Sequence, residues 1–439
     1  MKKNSSKTNK EKKAVVEEKE TQGKFTLNKK IIILICLVLI IIVITTLAIG
    51  ILSKKQNTTI LEAKKTNLNL QNNEHMHVEL DASGDKVPVP NGYVGSKITG
   101  ENEVNTGYVI YEGEEEVNDT NKDEAQKSRN QYVWIPVPDI SKFYGIDSNG
   151  KKWGKIYNFT NGTSSDPLFD EVTGTYPLNW SESNGIMRKY YGTRAGEPEL
   201  IIKSNNRSEI ICDDASDSTL KLVGVGIKTG HEFLKQIELE FNSMIASVEK
   251  YGGFYIGRYE TGNLGKESAV VQKGNIDNSG ETWHTMYNKC KKLKGQNINV
   301  ETGIIWGNQW DRTLIWLIES KNKTKEEICK NSTSWGNYED ATFEYLDNSG
   351  SKIVKELGHG VTIPTGSTEY TKANNIYDLV GNVNDFTIES TGSQRQCRGG
   401  YCFSTGMGLY PHTAAYRNNW SFPSGSGYSF GCRAMLYIK

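Results

Sequence analysis

The chain has 439 residues, more than one ordinary domain requires, and reads as one large globular unit with appendages. Its 52 basic and 52 acidic residues cancel, which argues against a general nucleic-acid binder, and no nucleic-acid partner is expected. The cancellation conceals a local excess: the first thirty residues hold ten Lys and four Glu with few large apolar side chains. Such a segment buries too little apolar surface to offset its ordering entropy, so residues 1–30 read as a disordered basic tail.

Residues 31–52, IIILICLVLIIIVITTLAIGIL, carry no charge and are long enough as a helix to cross a hydrocarbon core of roughly 30 Å. A buried core helix would show a solvated face, and a cleaved signal would be shorter and end in small residues. The segment therefore reads as a single membrane span that partners the lipid bilayer. Lys29 and Lys30 precede it and Lys54 and Lys55 follow it, so the Lys-rich tail sets the orientation, N-terminus cytoplasmic and C-terminal domain extracellular. Residues 53–86 are polar, with scattered Leu in no sustained heptad, and read as a stalk that contains His75 and His77.

Folding signals begin at Val87, which sets the expected ectodomain at residues 87–439. VPVPNGY opens as extended or edge chain because of Pro88 and Pro90, whereas GYVIYEG and QYVWIPV alternate as strands. Residues 141–230 are rich in Gly, Asn, Ser and Asp and predict long loops with short strands. Phe233, Ile237, Phe241, Met244, Ile245 and Val248 then fall at helical spacing, ending at Gly252 and Gly253 before the strand-like FYIGRYE. Two further amphipathic stretches carry Trp283, Met286, Cys290 and Leu293, and Trp310, Leu314, Leu317 and Ile318. The last hundred residues mix Gly, Asn, Ser and aromatics and close on the strand AMLYIK. The fold class is α+β, a few helices against a loop-rich antiparallel sheet.

Three segments in order, NNIYDLVGNVNDF at 374–386, CRGGYCF at 397–403 and FGCRAMLYI at 430–438, resemble the C-terminal part of the formylglycine-generating enzyme (sulfatase-modifying factor) superfamily. GGFYIGRYETG and IIWGNQWDRTLIW resemble its earlier strand and Trp-bearing helix, so the resemblance spans about residues 87–439. It implies a C-type-lectin-like fold. In the first segment Asp378 and Asp385 can offer carboxylates, and Gly381 and Val383 carbonyls, to one hard cation; the resemblance implies Ca²⁺ there, against an Asx-turn with solvated carboxylates. Arg398, Gly399 and Gly400, with Arg417 and Arg433, read as architecture: glycines allow close backbone approach and a buried guanidinium braces carbonyls or carboxylates.

Oxidases of this family use paired cysteines and copper in the segment after RGG. Cys402 has no second Cys within the next few residues, so no catalytic residue is assigned and a membrane-tethered thiol oxidase with copper is the alternative reading. Of seven cysteines, six follow the membrane segment, an even number that permits disulfides without requiring them. From Tyr401 to Phe430, flat aromatics mixed with Ser, Asn and Gly make a paratope-like composition. Tyr401, Phe403, Tyr410, His412, Tyr416, Asn418, Trp420, Phe422 and Tyr428 are the expected contacts for an extracellular protein or glycan. The placement after RGG resembles the variable proteins of diversity-generating retroelements. A surface-displayed binding protein is the expectation, a structural envelope protein its second alternative; the oligomeric state stays open.

Overall fold

The protein is described by a computed structural model over residues 69–146, 150, 152–155, 230–275, 280–391, 394–406, 412–421 and 429–439, all within the unit Thr66–Lys439. The basic tail, the span at 31–52 and the first part of the stalk lie outside the described residues. Among the described residues no helix is long and apolar enough to cross a membrane.

The chain folds earlier than Val87. Met76–Leu80 (β1), a segment read above as stalk, pairs antiparallel with Lys86–Pro90 (β2), setting Val78 opposite Pro88 and Met76 opposite Pro90. A two-stranded ribbon has an outer edge on each strand, so prolines without N–H are tolerated there. Met76, Val87 and Val89 are buried, and His77 is held by Glu79 and Asn91 at 3.3 Å each.

Tyr93–Gly95 (β3), Val109–Glu112 (β4) and Gln131–Pro136 (β5) follow, with helix Lys122–Ser128 (α1) between the last two. Tyr144–Ile146 (β6) and Lys152–Gly154 (β7) form a small ribbon. Most of the loop-rich stretch expected at 141–230 lies outside the described residues. Gly230–Tyr251 (α2) ends where Gly252 turns to φ 82°, and Gly253–Gly257 (β8) begins immediately. Trp283–Lys292 (α3) is capped by the Thr282 hydroxyl, which accepts from Thr285 N at 3.2 Å, and has Lys289, Lys291 and Lys292 in its last turn. Those cations face the negative end of the helix dipole. Val300–Ile304 (β9), Gly307–Glu319 (α4) and Lys325–Cys329 (α5) come next, α5 opening on a Thr324/Glu327 capping box.

The remaining strands are Phe343–Leu346 (β10), Lys352–Lys355 (β11), Lys372–Ala373 (β12), Ile376–Tyr377 (β13), Asn384–Thr391 (β14), Gln394–Arg398 (β15), Arg417–Ser421 (β16), Phe430–Cys432 (β17) and Ala434–Ile438 (β18). An antiparallel six-stranded sheet runs β3-β4-β5-β8-β18-β9, and a four-stranded sheet runs β16-β15-β14-β17 with β14 and β17 parallel. Helix α2 packs on β8 and β18, α3 on β9, and α4 on both β5 and β14, so α4 joins the two sheets. The apolar faces expected for these helices point inward: Phe241, Met244, Ile245, Trp283, Met286, Trp310 and Leu314 are fully buried. Phe241 meets Trp306 edge-on at 5.1 Å. The chain is α+β, as its patterning indicates.

One buried charge is set between α1, β4 and β8. Arg258 donates to Glu101 (2.6 Å), Tyr111 Oη (2.9 Å) and Gln131 Oε1 (3.2 Å), while Ser96, Tyr111 and Gln126 donate to the same Glu101 carboxylate. Burial pulls the Glu101 carboxyl upward, but the Arg258 charge and these hydrogen bonds outweigh it and hold the group below the ordinary glutamate value. Removing one member of such a pair strands a charge in the core. We therefore expect Glu101→Ala to cost about 3–5 kcal/mol in urea unfolding, whereas Lys122→Ala, in an exposed pair with Asp119, leaves the midpoint unchanged. A loss under about 1 kcal/mol at Glu101 would contradict the network's role.

Candidate functional site

The segment 374–386 is built from residues that tolerate left-handed backbone. Asn374, Asn375, Asp378 and Asn382 have φ of 44°, 64°, 53° and 53°, and Gly381 has 75°. Short Asn and Asp side chains reach this region at little cost because they bond to backbone nearby. Here they also reach far along the chain. Asn375 Nδ2 donates to the carbonyls of Gly100, Thr106 and Gly107, and Asn374 Nδ2 to Asn105 O and Ser320 Oγ. Asn382 accepts from Asn337 Nδ2 and Ile363 N, both at 2.9 Å, and donates to Glu260 at 2.5 Å.

Of the oxygens expected to hold calcium, one on each carboxylate has a protein donor. Arg433, fully buried, donates through Nη2 to the carbonyls of Tyr377 (3.0 Å) and Asp378 (2.8 Å), and through Nη1 to Gly257 O (3.1 Å). Its Nε faces Asp385 Oδ2 at 3.4 Å. Asp378 turns Oδ2 the other way, toward Thr365 Oγ1 (2.9 Å) and Gly366 N (2.8 Å). Gly381 lies in a backbone bridge to Asn337 and donates to Gly399 O. Calcium takes six to eight oxygens around one point, and here the Arg433 guanidinium lies against Asp385 Oδ2 and the Tyr377 and Asp378 carbonyls. Among the described residues no group of three or more His, Cys, Asp or Glu could hold a metal ion. The Asp378 and Asp385 carboxylates are buried, not solvated, and Oδ1 of each has no hydrogen-bond partner among the described residues.

A third carboxylate, Glu260, joins them, accepting from Asn382 and Val383 N. Burial pushes Glu260 well above the ordinary value, and Asp378 and Asp385 add to the push. Burial likewise raises Asp378, and it raises Asp385 to about 6 against the pull of Arg433. Three buried acids thus face one guanidinium, with the Cys397 and Cys402 thiols close enough to feel the charge.

Arg398, at the end of β15, is buried in an ion pair with Asp311 of α4, has Glu389 of β14 at 3.5 Å, and lies over the Trp310 ring at 5.8 Å. Gly399 and Gly400 follow with φ of 77° and 76°. A Cβ on Gly399 would meet Leu379 O at 2.7 Å, and one on Gly400 would meet His412 Cβ at 2.5 Å. Only glycine fits both the dihedrals and the space. Arg417 stands opposite Arg398 in the β15–β16 register, and Asn418 opposite Cys397.

This brace launches the C-terminal loop. Cys402 N donates to Asn382 O, Glu339 N to Ser404 O, His412 N to Thr405 O, and the Ser404 hydroxyl meets His412 Nδ1. Tyr401 is half-buried, 6.1 Å from Phe403 and 6.0 Å from His412 between ring centroids. Phe403 is 59 % exposed and lies over Gly360, where a Cβ would come within 2.3 Å of its ring; nearby Leu357 is 68 % exposed. Tyr416 is a correction to the expected contacts: it is buried, stacked under His412 at 4.1 Å, and supports the surface without forming it. Asn418 and Trp420 lie on β16, of which the backbone is described. Tyr410, Phe422 and Tyr428 lie outside the described residues. Burial lowers the His412 imidazole to about 4, so it is uncharged at neutral pH.

No family model matches the chain. No curated protein matches it either. Solved structures similar to it include the crystal structure of CarF, 12% identical with a TM-score of 0.27, covering 43% of this chain and 87% of that one. Treponema denticola variable protein 1 is 13% identical with a TM-score of 0.28, covering 43% and 85%. PvdO from Pseudomonas aeruginosa is 16% identical with a TM-score of 0.23, covering 43% and 82%.

Burial pushes the Cys402 thiol up to about 11, and its sulfur has Thr362 Oγ1 at 3.6 Å. Burial also raises Cys397, on the far side of the two glycines, well above the usual range. In the absence of a metal both therefore stay protonated at neutral pH.

The pH dependence has two parts of opposite sign. The acids are raised in the folded state, so their stabilisation is full below about pH 4 and is lost as pH rises toward and past 6. His412 is lowered, so its contribution is full above about 6.5 and is lost as pH falls toward 4. Thermal unfolding of Glu260→Gln against wild type separates them. The variant should gain relative stability from pH 4.5 to pH 8; a difference independent of pH would contradict the raised Glu260 carboxyl.

Proposed function

We propose that the chain is a membrane-anchored display protein with a C-type-lectin-like ectodomain, and that the loop surface carrying Tyr401, Phe403 and His412 binds an extracellular protein or glycan. The observation that carries the reading is the exposure of Phe403 on a loop pinned at both ends. Its ring is mostly open to solvent while its backbone neighbours bond to Asn382, Glu339 and Tyr401. A rigid aromatic gives contact area at small entropic cost, and a fixed backbone has little left to lose on binding. The neutral His412 and the Ser404 hydroxyl place polar groups beside the rings, a mixture that suits a polar ligand with an apolar face. Anchoring rests on the uncharged run at 31–52 and the lysine asymmetry around it. The finer reading, that residues after Gly400 differ between copies as in retroelement-diversified proteins, rests on the family resemblance; a template repeat and reverse transcriptase in the adjoining DNA would support it.

Full-length protein in nanodiscs, screened against a glycan array and a panel of immobilised cell-surface proteins, should show saturable binding to at least one component. Phe403→Ala should weaken that binding by about tenfold or more, since truncating a central aromatic anchor typically costs over 1.4 kcal/mol. Equal affinity of Phe403→Ala and wild type would move the site elsewhere, and no saturable binding would favour an envelope role.

A further inference from the structure

Two thiols from distant parts of the chain meet in the core. Cys290 lies on α3 and Cys432 on β17, 142 residues apart, with their sulfurs 3.5 Å from each other and both side chains fully buried. Their backbones are fixed independently. Thr261 N donates to Cys432 O at 3.0 Å, Leu293 N closes α3 onto Cys290 O, and Thr261 Oγ1 is 4.0 Å from the Cys290 sulfur. A disulfide bond is roughly 2.05 Å long, so the sulfurs stand in van der Waals contact, short of a bond.

We propose that Cys290 and Cys432 are joined by a disulfide in the mature protein. The inference rests on the proposed placement of the ectodomain outside the cytoplasm, where such bonds persist. One thiolate attacks the disulfide of an oxidant, here a dithiol–disulfide oxidoreductase: the oxidant's S–S bond breaks, a mixed disulfide forms, and one of its sulfurs leaves as a thiol. The second cysteine then attacks the mixed disulfide and releases the other sulfur. Two S–H bonds are lost and one S–S bond is gained, and the two electrons and two protons reduce the oxidant to its dithiol. Because both sulfurs are buried once β17 is in place, the bond forms before that strand closes over α3. The closed loop contains α4, the 374–386 segment and the whole aromatic surface, so the crosslink restricts the unfolded chain over the region that must refold to rebuild the site.

The test uses the full chain, purified from membranes of cells that have also been treated with external protease to establish which side the ectodomain occupies. Thiols are blocked with a maleimide in denaturant without reductant, and the digest is read by mass spectrometry. The expected result is one unlabelled species containing the Cys290 and Cys432 peptides, which separates on reduction, together with labelling of Cys432 in Cys290→Ala. Labelling of both cysteines in wild-type protein whose ectodomain is cut from outside would overturn the disulfide while leaving surface display intact. Labelling of both in protein resistant to external protease would overturn the disulfide and the display reading together.

Discussion

Arg433 brings a positive charge into a position with no solvent exposure, one residue after β17 and one before β18. Burying a charge is costly unless hydrogen bonds and opposite charge surround it. The surroundings are supplied by three parts of the chain: Gly257 at the end of β8, Tyr377 and Asp378 in the left-handed turn, and Asp385 on β14. One guanidinium thereby ties the six-stranded sheet to the four-stranded sheet and to the turn between them. Its planar fork suits carbonyl and carboxylate oxygens at fixed angles, which the point charge of a lysine would not match.

From that tie the order of the remaining parts follows. Asp378 and Asp385 are held by Arg433 and by the Thr365 and Gly366 donors, Asn382 then aligns with Glu260 and Ile363, and Asn382 O receives Cys402 N. Arg398 clamps β14 and β15 onto α4, and its two glycines steer the chain past His412. Phe403 emerges, apolar and open, from a frame that is polar and buried, with Tyr401 half-buried beside it. The proposed function depends on this contrast, because an aromatic side chain discriminates between ligands only if its backbone does not yield.

Much of the frame is legible in the sequence. The faces of α2, α3 and α4 follow from apolar spacing alone, and β4, β5, β8 and β18 from short alternating runs bounded by Gly or polar residues. RGG is readable from residue type, since paired glycines beside a charge have few uses other than a tight backbone passage. Counting oxygens in one segment does not reveal that the chain sets its own cation, Arg433, against the Asp378 carbonyl 55 residues away. Glu260 was missed for the same reason, being one acidic residue in a strand-like run far from the motif. The motif's asparagines are a readable signal for a run of left-handed backbone. Strand β1 was taken for stalk because its pairing partner carries two prolines. Tyr416 has the composition of a contact residue, and only its stack beneath His412 shows that it faces inward.

The aromatic surface keeps its shape because Arg433 joins it to the rest of the fold. Native-state hydrogen exchange on full-length Arg433→Gln tests this directly, residue by residue. Protection should fall together in β14, β15 and residues 401–406, while β3, β4 and β5, which are braced through Arg258 and Glu101, keep theirs. Unchanged protection in β14, β15 and 401–406 would contradict the account.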